Sequence, residues 1–98
     1  MNINIEKANG ATVLRIEGRL DTTSAPELEK AINAEGEALK NLVLDFKGVE
    51  YISSAGLRVL LTAQKKMNVQ GQMELHNVSE SVMDIFEMTG FADILVIK

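Results

Sequence analysis

Strand-like and helix-like periodicities alternate along the whole chain with connections of only a few residues, and that order restricts the possible folds more than any other feature. Ile3-Asn4-Ile5 and the run from Thr12 to Gly18 read as two short strands joined at Asn9-Gly10, a pair that favours positive φ and hence a hairpin turn. Ser24 and Glu27 have capping-box spacing, and Pro26 sits in the permitted first turn of a helix whose inward stripe is Leu28, Ala31 and Ile32. That helix is expected to stop near Glu35-Gly36-Glu37. The run 41–46, with its apolar centre, suits a strand covered on both faces. A long helix opens at Ser53-Ser54 and runs to about Asn68, and Met73 to His76 form the next strand. Asn77-Val78-Ser79-Glu80 repeats the capping-box spacing ahead of Val82, Ile85 and Phe86, with Gly90 as the stop, and Ile94 to Ile97 read as a last short strand. The order β-β-α-β-α-β-α-β predicts one α/β domain over residues 1–98 with a mixed sheet: an antiparallel hairpin first, then parallel strands joined by right-handed crossovers.

Composition removes several classes of function. Fourteen acidic against 10 basic side chains, a net charge of -4 and no basic run argue against a nucleic-acid binder. Without cysteine there is no disulfide and no thiolate chemistry, and the lone His76 cannot build a multi-histidine metal site. The acids show neither Asp-x-Asp nor Glu-x-x-His spacing, and the glycines form neither a dinucleotide fingerprint nor a phosphate-binding loop, so neither metal nor cofactor is expected. Residues 1–7 lack the pattern of a secretory signal and no apolar run approaches about 18 residues, so the expectation is a cytoplasmic protein with no membrane contact.

One segment stands apart, from Val49 through Ser53, Ser54 and Gly56 to Leu61. Two hydroxyls lie where a strand gives way to a helix, and a glycine follows inside the first turn, where it is about 1 kcal/mol worse than alanine, so something is expected to approach the backbone there. Two readings stand: a serine that merely caps the helix, and a serine that is modified, since a phosphate at a helix N-terminus meets free N–H groups and the positive end of the dipole. Serine hydrolysis fits poorly, because Gly-x-Ser-x-Gly is missing and His76 is the only available base. No catalytic residue is expected. Paired carboxylates would need Asp21, Asp45 and Glu50 to converge. On a helical wheel Leu60, Ala63 and Met67 face inward, Arg58, Thr62, Lys65 and Lys66 outward, and Leu57, Leu61, Gln64 and Asn68 form a shoulder that is either core edge or docking face. Met83 and Met88 flank the last helix's stripe as gap-fillers.

Gly18-Arg19-Leu20-Asp21 followed by Thr22-Thr23-Ser24-Ala25, the strand Leu42 to Phe46, and above all Val49 to Leu60 resemble STAS domains of the anti-sigma factor antagonist type, over nearly the whole chain. The resemblance implies a partner switch that regulates transcription. The unphosphorylated antagonist binds an anti-sigma factor that is also a GHKL-type serine kinase, phosphorylation releases it, and a PP2C-type phosphatase resets it. By motif the phosphorylated position is Ser53, with Ser54 the alternative. The partner surface implied is Asp21, Thr22, Ser54, Gly56, Leu57, Arg58 and Leu61, on a chain that is monomeric when free. Many members carry aspartate immediately before the serine, where this chain has Ile52. Two other readings remain: a STAS module switching a secretion, motility or transporter target, and a small-ligand sensor.

Overall fold

The computed structural model describes all 98 residues. Strands β1 (Asn2–Ala8) and β2 (Ala11–Leu20) form the hairpin, and α1 (Ala25–Asn33), β3 (Asn41–Ile52), α2 (Ser54–Gln70), β4 (Gln72–His76) and α3 (Glu80–Thr89) succeed them. The sheet order is β1-β2-β3-β4, antiparallel between β1 and β2 and parallel thereafter. Asn9 and Gly10, at φ 53° and 80°, make the two-residue turn that lets Ala8 pair with Ala11. Helix α3 ends on Gly90 in the left-handed region.

The core lies on one face of the sheet. Leu14, Ile16, Leu42, Leu44, Phe46, Met73 and Leu75 pack with Leu28, Ile32, Leu60, Ala63, Met67, Val82 and Phe86 in one cluster of 21 buried residues. The intervening side chains of β2 and β3 point the other way, and Arg15, Glu17, Val43 and Asp45 are exposed or half-buried. The expectation that β3 is covered on both faces is therefore corrected. Its second face carries polar pairs, Arg15 to Glu6 and Asp45 and Asn77 to Asp45, that need no apolar cover.

The pairing of β2 with β3 is irregular in two places. Arg15 pairs with Asp45 but Glu17 with Gly48, and Gly18 pairs with Val49 but Arg19 with Tyr51, so β3 carries an extra residue at each step. Strict alternation would send Val49 outward after Phe46. The extra residues rephase the strand, and Phe46, Val49 and Ile52 all point into the core at three-residue spacing.

The expected last strand is not formed. Phe91–Asp93 is a 3-10 turn, and the amides of Ile94 and Leu95 both bond back to the Phe91 carbonyl, which keeps the chain helical through Ile94. Only the segment around Ile97 reaches β4, as a single parallel bridge to Leu75. Nor does the expected capping-box pairing at Asn77 form: Ser79 is the N-cap of α3, accepting from the Val82 amide, while Asn77 sits at φ 59° and donates to Asp45. Met88 is 82% exposed and fills no core gap.

Candidate functional site

Parallel pairing carries the C-terminal ends of β2 and β3 to the same edge of the sheet, where ligand and partner sites of α/β proteins tend to form. Leu20 and Ile52 are register partners, and the Ser53 amide donates to the Leu20 carbonyl at 2.9 Å. This bond sets the Asp21–Ser24 loop beside the start of α2.

The loop is held by its own side chains. Asp21 Oδ1 accepts from the amides of Thr23 and Ser24, each at 3.1 Å, and its carbonyl accepts from the Ala25 amide at 2.8 Å. These bonds, with Ser24 first, outweigh desolvation and hold the Asp21 carboxyl below the usual carboxylate range. Ser24 precedes α1 but does not cap it. Its hydroxyl accepts from the Asp21 amide at 2.9 Å and donates to the Arg19 carbonyl at 2.6 Å, so the expected capping box with Glu27 is replaced by an Asp-centred turn. Thr22 is exposed at the tip.

At the strand-to-helix junction the two serines part company. Ser53 is the N-cap of α2 in extended geometry, yet its hydroxyl caps nothing and is buried without a hydrogen-bond partner. Ser54, the first residue of the helix, is exposed. Ser53, first choice from the sequence, thus has its hydroxyl closed off, whereas its neighbour Ser54 lies at the surface.

Gly56 is buried, which corrects its place on a contact surface. A Cβ there would come 2.8 Å from Leu20 Cγ and Ile52 Cγ1 and 3.0 Å from the Leu20 carbonyl oxygen. What approaches its backbone is the chain's own Leu20, at the end of β2, together with Ile52 at the end of β3. Leu57 and Leu61 are half-buried and Arg58 exposed, so with Ser54 they form an i, i+3, i+4, i+7 stripe along the accessible side of α2. Further along the shoulder Gln64 turns inward, 3% exposed, and donates to Asn68 at 2.8 Å.

Two neighbours were not read from the sequence. The Arg19 guanidinium lies 4.2 Å from the Tyr51 ring centre, with its Nε 3.9 Å from Asp21 Oδ2. The pairing depends on the displaced register, which alternation within either strand does not signal. Ser81 at the start of α3 donates to the Glu50 carbonyl at 3.4 Å, bringing a second helix start to this end of the sheet. His76 is engaged elsewhere, with Glu74 at 2.9 Å, and no three of the His, Asp and Glu side chains converge as a metal site would require. Asp21 is engaged by the Thr23 and Ser24 amides, and Asp45 by the Lys47 amide and Asn77. The junction places an exposed serine at the positive end of a helix, with a polar loop and a mixed stripe around it.

The STAS domain family model matches residues 2–98. The chain belongs to the STAS domain family. It is 35% identical over 101 residues to the anti-sigma-B factor antagonist of Bacillus subtilis, covering 100% of this chain and 93% of the relative. A Bordetella bronchiseptica protein provisionally described as the anti-sigma factor antagonist BtrV is 33% identical over 96 residues, 96% of this STAS chain and 83% of its own. Among solved structures, an anti-sigma factor antagonist from Mycobacterium paratuberculosis superposes with a TM-score of 0.88 at 25% identity, covering 98% and 83% of the two chains. SpoIIAA in its unphosphorylated form has the same fold, with a TM-score of 0.77 at 18% identity over 99% and 87%. No helix of this STAS domain is long and apolar enough to cross a membrane.

Proposed function

We propose that this STAS domain is an anti-sigma factor antagonist whose binding is switched by phosphorylation of Ser54. The observation that carries the reading is the exposed hydroxyl of Ser54 at the first position of α2, beside the Asp21 loop, in a chain whose relatives bear that name. The position also accounts for Ile52. Its side chain is 3% exposed, so a carboxylate at 52 would be buried in the core. An aspartate directly before the serine fits the N-cap instead, where Asp and Ser are interchangeable, and Ser53 holds that place here. The acceptor is then Ser54.

In the reaction Ser54 Oγ attacks the γ-phosphorus of ATP, the bond to the bridging oxygen of ADP breaks, and the hydroxyl proton passes to a base on the kinase. The phosphate meets the open N-terminus of α2, whose first turn holds no acidic residue. Moving a complex from 99:1 to 1:99 takes about 5.5 kcal/mol. A charge near -2 placed about 4 Å from an acidic partner group at an effective dielectric near 20 gives roughly 8 kcal/mol as an upper figure, so one modification suffices. The partner is an anti-sigma factor that is itself a GHKL-type serine kinase, with a PP2C-type phosphatase for the return step, and Asp21, Thr22, Leu57, Arg58 and Leu61 form the contact surface. Gly56 acts from behind by letting α2 sit close to Leu20.

Incubating the wild type, Ser53→Ala and Ser54→Ala with candidate kinases and ATP, then applying mass spectrometry to the peptide spanning 51–58, tests this directly. The wild type and Ser53→Ala gain one phosphate and Ser54→Ala gains none. Phosphate retained in Ser54→Ala and lost in Ser53→Ala would reverse the assignment.

A further inference from the structure

Ser54 and Arg58 are four residues apart on α2 and both exposed. In a helix that spacing brings Cβ atoms to about 5–6 Å, and a long side chain leans toward the N-terminus, so the Arg58 guanidinium lies within reach of a group carried on Ser54. Arg58 is also free. Of the three arginines, Arg15 pairs with Glu6 and Asp45, and Arg19 is occupied by Tyr51 and Asp21, whereas Arg58 has no ionic partner. No acidic side chain in the first turn of α2 competes for it. Guanidinium presents paired donors that match two phosphate oxygens, which an ammonium does not.

We propose that Arg58 clasps the phosphate on Ser54 from within the same helix. The inference rests on Ser54 as the phosphate acceptor and adds how the switch reaches the partner. Before modification the docking stripe presents an unpaired cation between Leu57 and Leu61. Afterwards the stripe gains a dianion and loses that cation to it, so an acidic partner group meets two unfavourable changes from one covalent event. The clasp also ties the first turn of α2 to the second.

The test uses the full chain with phosphoserine installed at position 54 during synthesis, so that no kinase is needed, and tracks the phosphorus-31 resonance as pH is raised. An adjacent guanidinium favours the dianion and lowers the second phosphate pKa. Arg58→Gln is expected to raise the titration midpoint by about 0.3 unit or more, the scale of an i, i+4 ion pair. Arg58→Lys recovers part of the difference, 1 M salt removes it, and Lys65→Gln, on the same helix but distant from Ser54, leaves the midpoint in place. An unchanged midpoint in Arg58→Gln overturns the clasp. Failure of every kinase to modify Ser54 would instead defeat the reading of function while leaving the titration result standing, so the two failures are separable.

Discussion

At Gly56 the absence of a side chain is a packing requirement. Because the Cβ of any other residue falls 2.8 Å from Leu20 Cγ and Ile52 Cγ1 and 3.0 Å from a backbone oxygen, α2 or β2 must move to receive it. Gly56→Ala is expected to lower stability by about 1–3 kcal/mol, despite alanine's better helix propensity, and to widen the gap between the Asp21 loop and the serines. Urea unfolding checks the first part, and a midpoint equal to or above wild type would refute it. That glycine here marks a close approach was legible in the sequence. That Leu20 supplies half of this approach was not, since it stands on a strand more than 30 residues earlier. Ser53 and Ser54 make the same point: adjacent and chemically identical, they differ only in that one hydroxyl turns into the junction and the other turns out.

Among the elements, those with clean local periodicity obeyed the pattern of apolar residues. The hairpin, the α1 stripe of Leu28 and Ile32, and the inward Leu60, Ala63 and Met67 of α2 lie where spacing placed them. Capping was less legible, because Asn77 and Ser79 both offer an acceptor ahead of α3 and only one can adopt N-cap geometry. In α3 that residue is Ser79, at φ -69° and ψ 160°. Ser79→Ala is expected to reduce stability by about 1 kcal/mol, read as a lower urea midpoint with unchanged slope, through loss of the bond its hydroxyl accepts from the Val82 amide. The chain's final segment failed as a strand for a related reason. Its apolar run is genuine, but the preceding turn consumes Ile94, and only Ile97 bridges to β4, at Leu75.

Across the whole molecule, three carboxylates share one pH dependence. Asp21 is held below its ordinary range by Ser24 and the Thr23 amide, Glu35 by Lys7 and Thr12, and Asp45, although burial pushes it up, by the stronger combined effect of Asn77, the Lys47 amide, Arg15 and His76. Each binds its proton more tightly in the unfolded chain. Their contribution to stability is therefore complete above the unfolded carboxylate range, near pH 4, and is lost as pH falls through the lower folded values. The urea midpoint should be level from pH 7 to about 5 and fall below about 4, more shallowly in Asp45→Asn. A midpoint that stays flat to about pH 2.5 would contradict this account. The open sheet face belongs to the same scale: Glu6, Arg15, Asp45 and Asn77 bond across three elements, and no single strand's composition announces a polar outer layer.

By itself the amino-acid order determined which segments become strands and helices as far as the end of α3, where the chain turns, and that a hydroxyl-bearing junction with a glycine just after it opens the longest helix. Those outcomes rest on contacts between residues a few positions apart, which spacing encodes. Only the tertiary structure decided which serine opens to solvent, that Gly56 faces inward, that Arg19 lies against Tyr51, and that β3 admits two extra residues so that Phe46, Val49 and Ile52 all reach the core. Each of these depends on the register of β2 against β3, and register is a property of two strands in contact that neither strand's sequence contains alone.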